Sequence, residues 1–238
     1  MRRIFLASML ASAALSGAAR AESGDVVMTD HDMGPFHKIV TEVDYADAHG
    51  GLWNWDVEGW IGGDVERLWL RSEGDVEDGE VGDAELQLLY GWNVHPFWDL
   101  LAGVRQDFEP DGETYLAAGV TGLAPYFFET EATAFLSAEG DFSLRLEQSF
   151  DLPITQRLIA EPHGELDFFA QDVPGRDIGA GFSDLEVGLQ LRYEVTRKFA
   201  PYVDLVWERA LGQTASIARA NGEDVDDTTL RFGLRVWF

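Results

Sequence analysis

The chain has no cysteine, only 8 prolines among 238 residues, and 17 lysines and arginines set against 43 aspartates and glutamates. The missing thiol excludes disulfide staples, thiolate metal sites and thiol catalysis, so any bound metal must rest on His, Met or carboxylate ligands. The shortage of positive charge makes nucleic acid and anionic surfaces poor partners. Long hydrophobic runs are missing too. Beyond residue 21 no window of about 18 residues is free of charge, which excludes a membrane helix there and leaves either a soluble sheet protein or a barrel that crosses lipid with strands.

What is abundant favours a sheet. Glycine numbers 25, tryptophan 8, and aromatics make up 12% of the chain, a composition suited to strands bounded by aromatic belts. The opening "MRRIFLASMLASAALSGAARAE" joins two arginines to an apolar run and to Ala19-Arg20-Ala21, the pattern of a secretory signal peptide expected to be cut after Ala21. Loss of Arg2, Arg3 and Arg20 leaves 14 basic residues against 43 acidic ones, a net charge of −29. Residues 1–21 are therefore expected to be the leader, 22–37 a flexible periplasmic arm, and 38–238 the folded domain.

From residue 38 onward the hydrophobic period is two. In "DLEVGLQLRYEV" (184–195), Leu185, Val187, Leu189, Leu191, Tyr193 and Val195 share one face, while Glu186, Gly188, Gln190, Arg192 and Glu194 share the other. Strands are predicted over 38–46, 52–61, 64–73, 83–93, 97–108, 114–124, 126–138, 141–151, 155–170, 182–195, 199–210 and 227–238. Their connections alternate between short turns with proline or aromatics, such as "NVHPFW" (93–98), and acidic glycine-rich loops, such as "SEGDVEDGEVGD" (72–83) and "LGQTASIARANGEDVDD" (211–227). Short turns at one end and longer loops at the other are the signature of an all-β, closed antiparallel transmembrane barrel of about twelve strands. A soluble β-sandwich is the alternative. It is opposed by the apolar face that persists through nearly every strand, by the leader, and by the closing "TLRFGLRVWF", which resembles the C-terminal signal of bacterial outer-membrane barrels.

If the apolar face meets lipid, the other face lines the lumen. Among the residues it places there are Glu129, Glu131, Glu161, Glu165, Asp167, Arg192, Arg231 and Arg235. Acids outnumber bases, so a wide lumen would concentrate cations; equally, Arg–Glu pairs could hold a narrow barrel closed. His163 stands between Glu161 and Glu165 on that face, a candidate interior metal or proton site.

Met28, His31, Met33 and His37 fall within ten positions in a chain with four methionines and five histidines. Thioether sulfur is a soft ligand that selects Cu(I), and imidazole serves both Cu(I) and Cu(II), so copper suits this segment better than zinc. "MTDHDM", "FHKIVTEVDYADAHGG", "WDVEGWIGGDVERLWLRSEG" (55–74), "AELQLLYGWNVHPFWDLLAGVRQDF" (84–108), "GLAPYFFETEATAFLS" (122–137), "ITQRLIAEPHGELDFFAQD" (154–172), "GFSDLEVGLQLRYEVTRKFAPYVDLVWER" (181–209) and the final "FGLRVWF" resemble the bacterial copper resistance protein B family over almost all of the mature chain.

The resemblance implies an outer-membrane β-barrel of a copper tolerance system, working beside periplasmic copper carriers and a multicopper oxidase. Family members often carry a longer tract of Met/His motifs, here reduced to Met28, His31 and Met33 with His37 following. The expected function is copper binding at the arm and the acidic lumen, with passage of the ion, Cu(I) favoured over Cu(II), in contact with outer-membrane lipid and without enzymatic turnover. Two alternatives stand beside it. One is a general cation pore or plain structural barrel. The other is an outer-membrane hydrolase built on His163 and Asp167, for which the strand pattern offers no adjacent serine.

Overall fold

The computed structural model describes residues 35–47, 51–110 and 112–238. These form one antiparallel sheet rolled shut. The strands are β1 (Phe36–Ala46), β2 (Leu52–Gly62), β3 (Glu66–Glu77), β4 (Glu80–His95), β5 (Trp98–Glu109), β6 (Thr114–Ala124), β7 (Phe128–Ser137), β8 (Phe142–Ser149), the two-residue β9 (Leu152–Pro153), β10 (Leu158–Phe169), β11 (Gly181–Tyr193), β12 (Phe199–Ala210) and β13 (Asp226–Trp237). Because β9 only extends the edge beside β10, the wall is twelve strands round. Apart from β9, neighbours in sequence pair throughout, and β1 closes the ring on β13 with Val40 opposite Trp237 and Tyr45 opposite Phe232. At that seam the Ile39 amide donates to the Phe238 carbonyl at 3.2 Å and the Phe238 amide to the Ile39 carbonyl at 2.9 Å. Closure leaves no unpaired edge, the condition for a sheet to sit in lipid.

The burial pattern is inverted relative to a soluble sheet. On β11, Val187, Leu189, Leu191 and Tyr193 are 42–50% exposed, whereas Gln190 and Arg192 are only 6% and 5% exposed. The same inversion holds on β4, where Leu86, Leu88, Tyr90 and Trp92 face outward and Glu85 and Gln87 are buried. A continuous belt of exposed Leu, Val and aromatic side chains is stable only against hydrocarbon. Among the described residues no helix is long and apolar enough to cross a membrane. Trp92, Phe97, Tyr126 and Phe127, all more than half exposed, mark the short-turn rim.

Two predicted loops are more ordered than the sequence suggested. The stretch 72–83 is not a long loop: β3 and β4 continue as a hairpin to a two-residue turn at Asp78 and Gly79, whose φ values of 48° and 84° are those of a type I′ turn. Apart from the cross-strand pair Val76–Val81 that extension is acidic and glycine-rich, so the period of two was hidden. In 211–227 the chain forms helix α1 (Gly212–Asn221), ended by Gly222 at φ 83°. The Thr214 hydroxyl of this helix accepts from the Gly179 amide at 3.1 Å and ties it to the β10–β11 connection.

Candidate functional site

The lumen holds the polar chemistry. Strand β10 presents Glu161, His163, Glu165 and Asp167 at two-residue intervals, and the register decides what each one meets. His163 lies opposite Gly188, where a Cβ would fall 2.1 Å from Nε2, so only glycine leaves room for the ring. The imidazole Nε2 sits 3.2 and 3.1 Å from the two carboxylate oxygens of Asp204 on β12, and Nδ1 is 3.7 Å from Glu186. The tautomer with its proton on Nε2 is the one that donates to Asp204. Beside this pair, Arg231 bridges Glu208 at 2.5 Å and Glu186 at 3.9 Å.

Further ion pairs run round the wall. Arg192 donates to Glu161 and, at 2.5 Å, to Asp151, while Arg235 reaches Glu42 at 2.9 Å and Glu161 at 3.4 Å. Arg145 bridges Glu73, Glu165 at 3.1 Å and Asp167 at 3.5 Å, and Arg71 forms a two-pronged pair with Glu131. Glu129 shares the Glu131 face but lies exposed at the rim. Several of these contacts span the lumen, since β8 pairs with neither β3 nor β4 yet Arg145 touches both Glu73 and Glu85. Such cross-ties between oppositely placed strands hold the wall to a fixed radius.

Acids outnumber bases around a small cavity of about 50 Å³, where Asp56, Glu58, Glu73, Glu85 and Glu147 meet Arg71 and Arg145. The side chains of Glu58 and Glu73 remain 39% and 43% exposed to the interior space. Excess carboxylates on a water-accessible lining favour cations over anions. Among the described residues no group of three or more His, Asp or Glu converges to hold a metal ion.

The other candidate ligands lie elsewhere. Met28, His31 and Met33 are outside the described residues. His37 is inside them and belongs to β1, which begins at Phe36; it is exposed and sits opposite Ile61, on the outward-facing parity of the strand. Ser149 is the cross-strand neighbour of His163 on β8, and among the described residues no hydrogen bond joins the two. Sequence reasoning missed as lining residues Asp151 and Glu73, each at the junction of a predicted strand and a turn, and the partnership of His163 with Asp204, 41 positions away. It also missed an apolar cluster inside the lumen formed by Trp69, Leu89, Leu101, Tyr115, Ala117 and Phe135. Its signal was present in "LQLLYGW" and "DLLAGV", where both faces of the strand turn apolar.

Residues 38–238 match the family model described as copper resistance protein B precursor (CopB). The chain belongs to the copper resistance protein B family. It is 46% identical over 202 residues to the copper resistance protein B homolog of Pseudomonas syringae pv. tomato, covering 84% of this chain and 69% of that protein. It is 47% identical over 186 residues to copper resistance protein B of Escherichia coli, covering 78% and 63% respectively, so the match spans about two thirds of these relatives' length. Among solved structures the NanC porin superposes with a TM-score of 0.56 at 12% identity, covering 83% of this chain and 98% of that one. At that identity the likeness concerns the fold alone, a porin-like outer-membrane barrel. Membership of the copper resistance protein B family assigns the chain to copper resistance.

Proposed function

We propose that the protein captures copper at its Met/His arm and passes it along the acidic lumen of the barrel. The observation that carries this reading is the lining itself: around one interior cavity Asp56, Glu58, Glu73, Glu85 and Glu147 outnumber Arg71 and Arg145, and the side chains of Glu58 and Glu73 are open to the interior, in a chain of the copper resistance family. A cation entering such a lumen is drawn in by the negative potential and is not trapped by a closed chelate, as conduction requires. Met28, His31 and Met33 supply the soft and imidazole donors that suit Cu(I), and His163 with Asp204 and Glu186 is the interior position where an imidazole meets two carboxylates. The role is binding and passage without turnover, at the outer membrane after removal of residues 1–21, with periplasmic copper carriers or a multicopper oxidase as the proteins that would deliver or receive the ion.

Calorimetric titration of the refolded protein with Cu(I) under reducing conditions and with Cu(II) under oxidising ones tests this. Replacing Met28, His31 and Met33 by Ala is expected to abolish a tight Cu(I) site. Unchanged binding in that variant would move the site to the lumen around His163. Absence of copper binding in both proteins would overturn copper capture and leave the second reading, a barrel closed by its own cross-lumen ion pairs, which the Arg145 contacts to Glu73 and Glu165 favour.

A further inference from the structure

A cleft of about 230 Å³ opens at the short-turn mouth of the lumen, where the start of β1 and of β12 meets the ends of β11 and β13. It is smaller than the roughly 300–1,000 Å³ of pockets for drug-sized molecules. Four cations line it, Lys38, Arg192, Arg197 and Arg235. In a chain with 43 acidic and 17 basic residues, that concentration is the reverse of what composition would place at random.

The four cations divide by partner. Arg192 and Arg235 are fixed by Glu161, Asp151 and Glu42, but Arg235 engages them only through Nη1 and so keeps its other guanidinium donors free among the described residues. Lys38 and Arg197 have no carboxylate within ion-pair reach among the described residues. Glu194 is the single acid on the lining and is itself without an ion pair there, so the unpaired charge on the cleft is positive in balance. The remaining lining is apolar, with Trp237 and Phe199 as walls and the small Ala200, 5% exposed, beneath. The Lys198 ammonium lies 5.8 Å from the Trp237 ring centroid.

We propose that this cleft binds a small organic di- or tricarboxylate. Guanidinium and ammonium donors recognise carboxylate oxygens, and the apolar walls take a short carbon skeleton that an inorganic oxyanion does not have. The site lies at the mouth rather than among the acids deeper in the lumen, and it is independent of copper capture by the arm.

Titration calorimetry of the full chain folded in detergent at low salt, with citrate, succinate and inorganic phosphate as separate probes, tests the assignment. Citrate is expected to bind saturably, and Lys38→Gln with Arg197→Gln should weaken it by about tenfold or more, since two charge-assisted contacts are lost. Neither residue holds another in place, so the variant should keep the folded barrel's altered gel mobility before heating. Lys38→Arg with Arg197→Lys, which conserves charge, should retain binding. No saturable citrate binding to the parent chain, or equal binding to the double Gln variant, would overturn the site. Phosphate binding as tightly as citrate would overturn the carboxylate assignment.

Discussion

Two arcs of the lumen wall solve the same problem differently. From β3 to β7 the interior is filled: Leu89, Leu101, Ala117 and Phe135 pack with Trp69 and Tyr115, and the guanidinium of Arg105 stacks 4.9 Å from the Phe135 ring and 5.3 Å from Tyr115. From β10 round to β1 the interior is lined instead, by His163, Asp204, Arg192, Arg231 and Arg235 with their carboxylates, and the larger cleft lies on this side. A twelve-stranded barrel encloses more space than one layer of small side chains fills. The packed arc behaves like half of a soluble core, where stability concentrates. The lined arc keeps its polar groups solvated or paired, and this is where ions and ligands can be met.

The sharpest way to break that contrast is to hollow the packed arc. Phe135→Ala removes a ring that is 2% exposed and that Arg105 and Arg145 both face, so it should lower unfolding stability by about 3–5 kcal/mol, read from urea titration of the barrel in lipid vesicles. A loss under 1 kcal/mol would show that the cluster is incidental. A smaller loss is expected on the lined arc from Gly188→Val. The new side chain meets the His163 ring and should cost roughly 1–3 kcal/mol by overpacking. Combining it with His163→Ala should recover most of that cost, because the obstruction is the imidazole itself. Failure of the rescue would mean that the strand cannot accept Val there for reasons other than the ring.

The contrast between arcs was only half visible in the sequence. The alternation in 184–195 and 230–238 displays strand, face and lipid contact together, because lipid selects apolar residues at every second position whatever lies inside. The lumen face carries no such uniform demand. On it Leu89 and Leu101 read as members of an all-apolar run, and their inward direction follows only from the parity of Glu85, Gln87 and Asp99. Toward its tip the β3–β4 hairpin keeps only the Val76–Val81 pair among acids and glycines, which is why it read as a loop. Helix α1 was announced by "ASIARANG", alanine-rich with glycine after it, but the acidic residues that follow masked it. What strand pattern cannot supply is stagger between strands that do not pair directly. That stagger alone brings His163 to Asp204 and Arg145 to Glu73, so the candidate residues were readable one by one and their partnerships were not.

The smallest stability effect, and the most informative for function, is expected at Arg231. Its partners Glu208 and Glu186 have side chains 49% and 31% exposed to the interior, so water can solvate both carboxylates once the guanidinium is gone. Arg231→Gln should therefore change stability by less than about 1 kcal/mol, the range of solvated ion pairs. It leaves one more uncompensated negative charge on the lined arc, and the ratio of cation to anion permeability should rise, read as a shift in reversal potential across a planar bilayer under a salt gradient. A loss of several kcal/mol would show that the lined arc is as structural as the packed one. An unchanged reversal potential in a stable, conducting variant would place the ion path away from β11–β13, and the cations of that arc would then serve the mouth cleft and the wall rather than the passage.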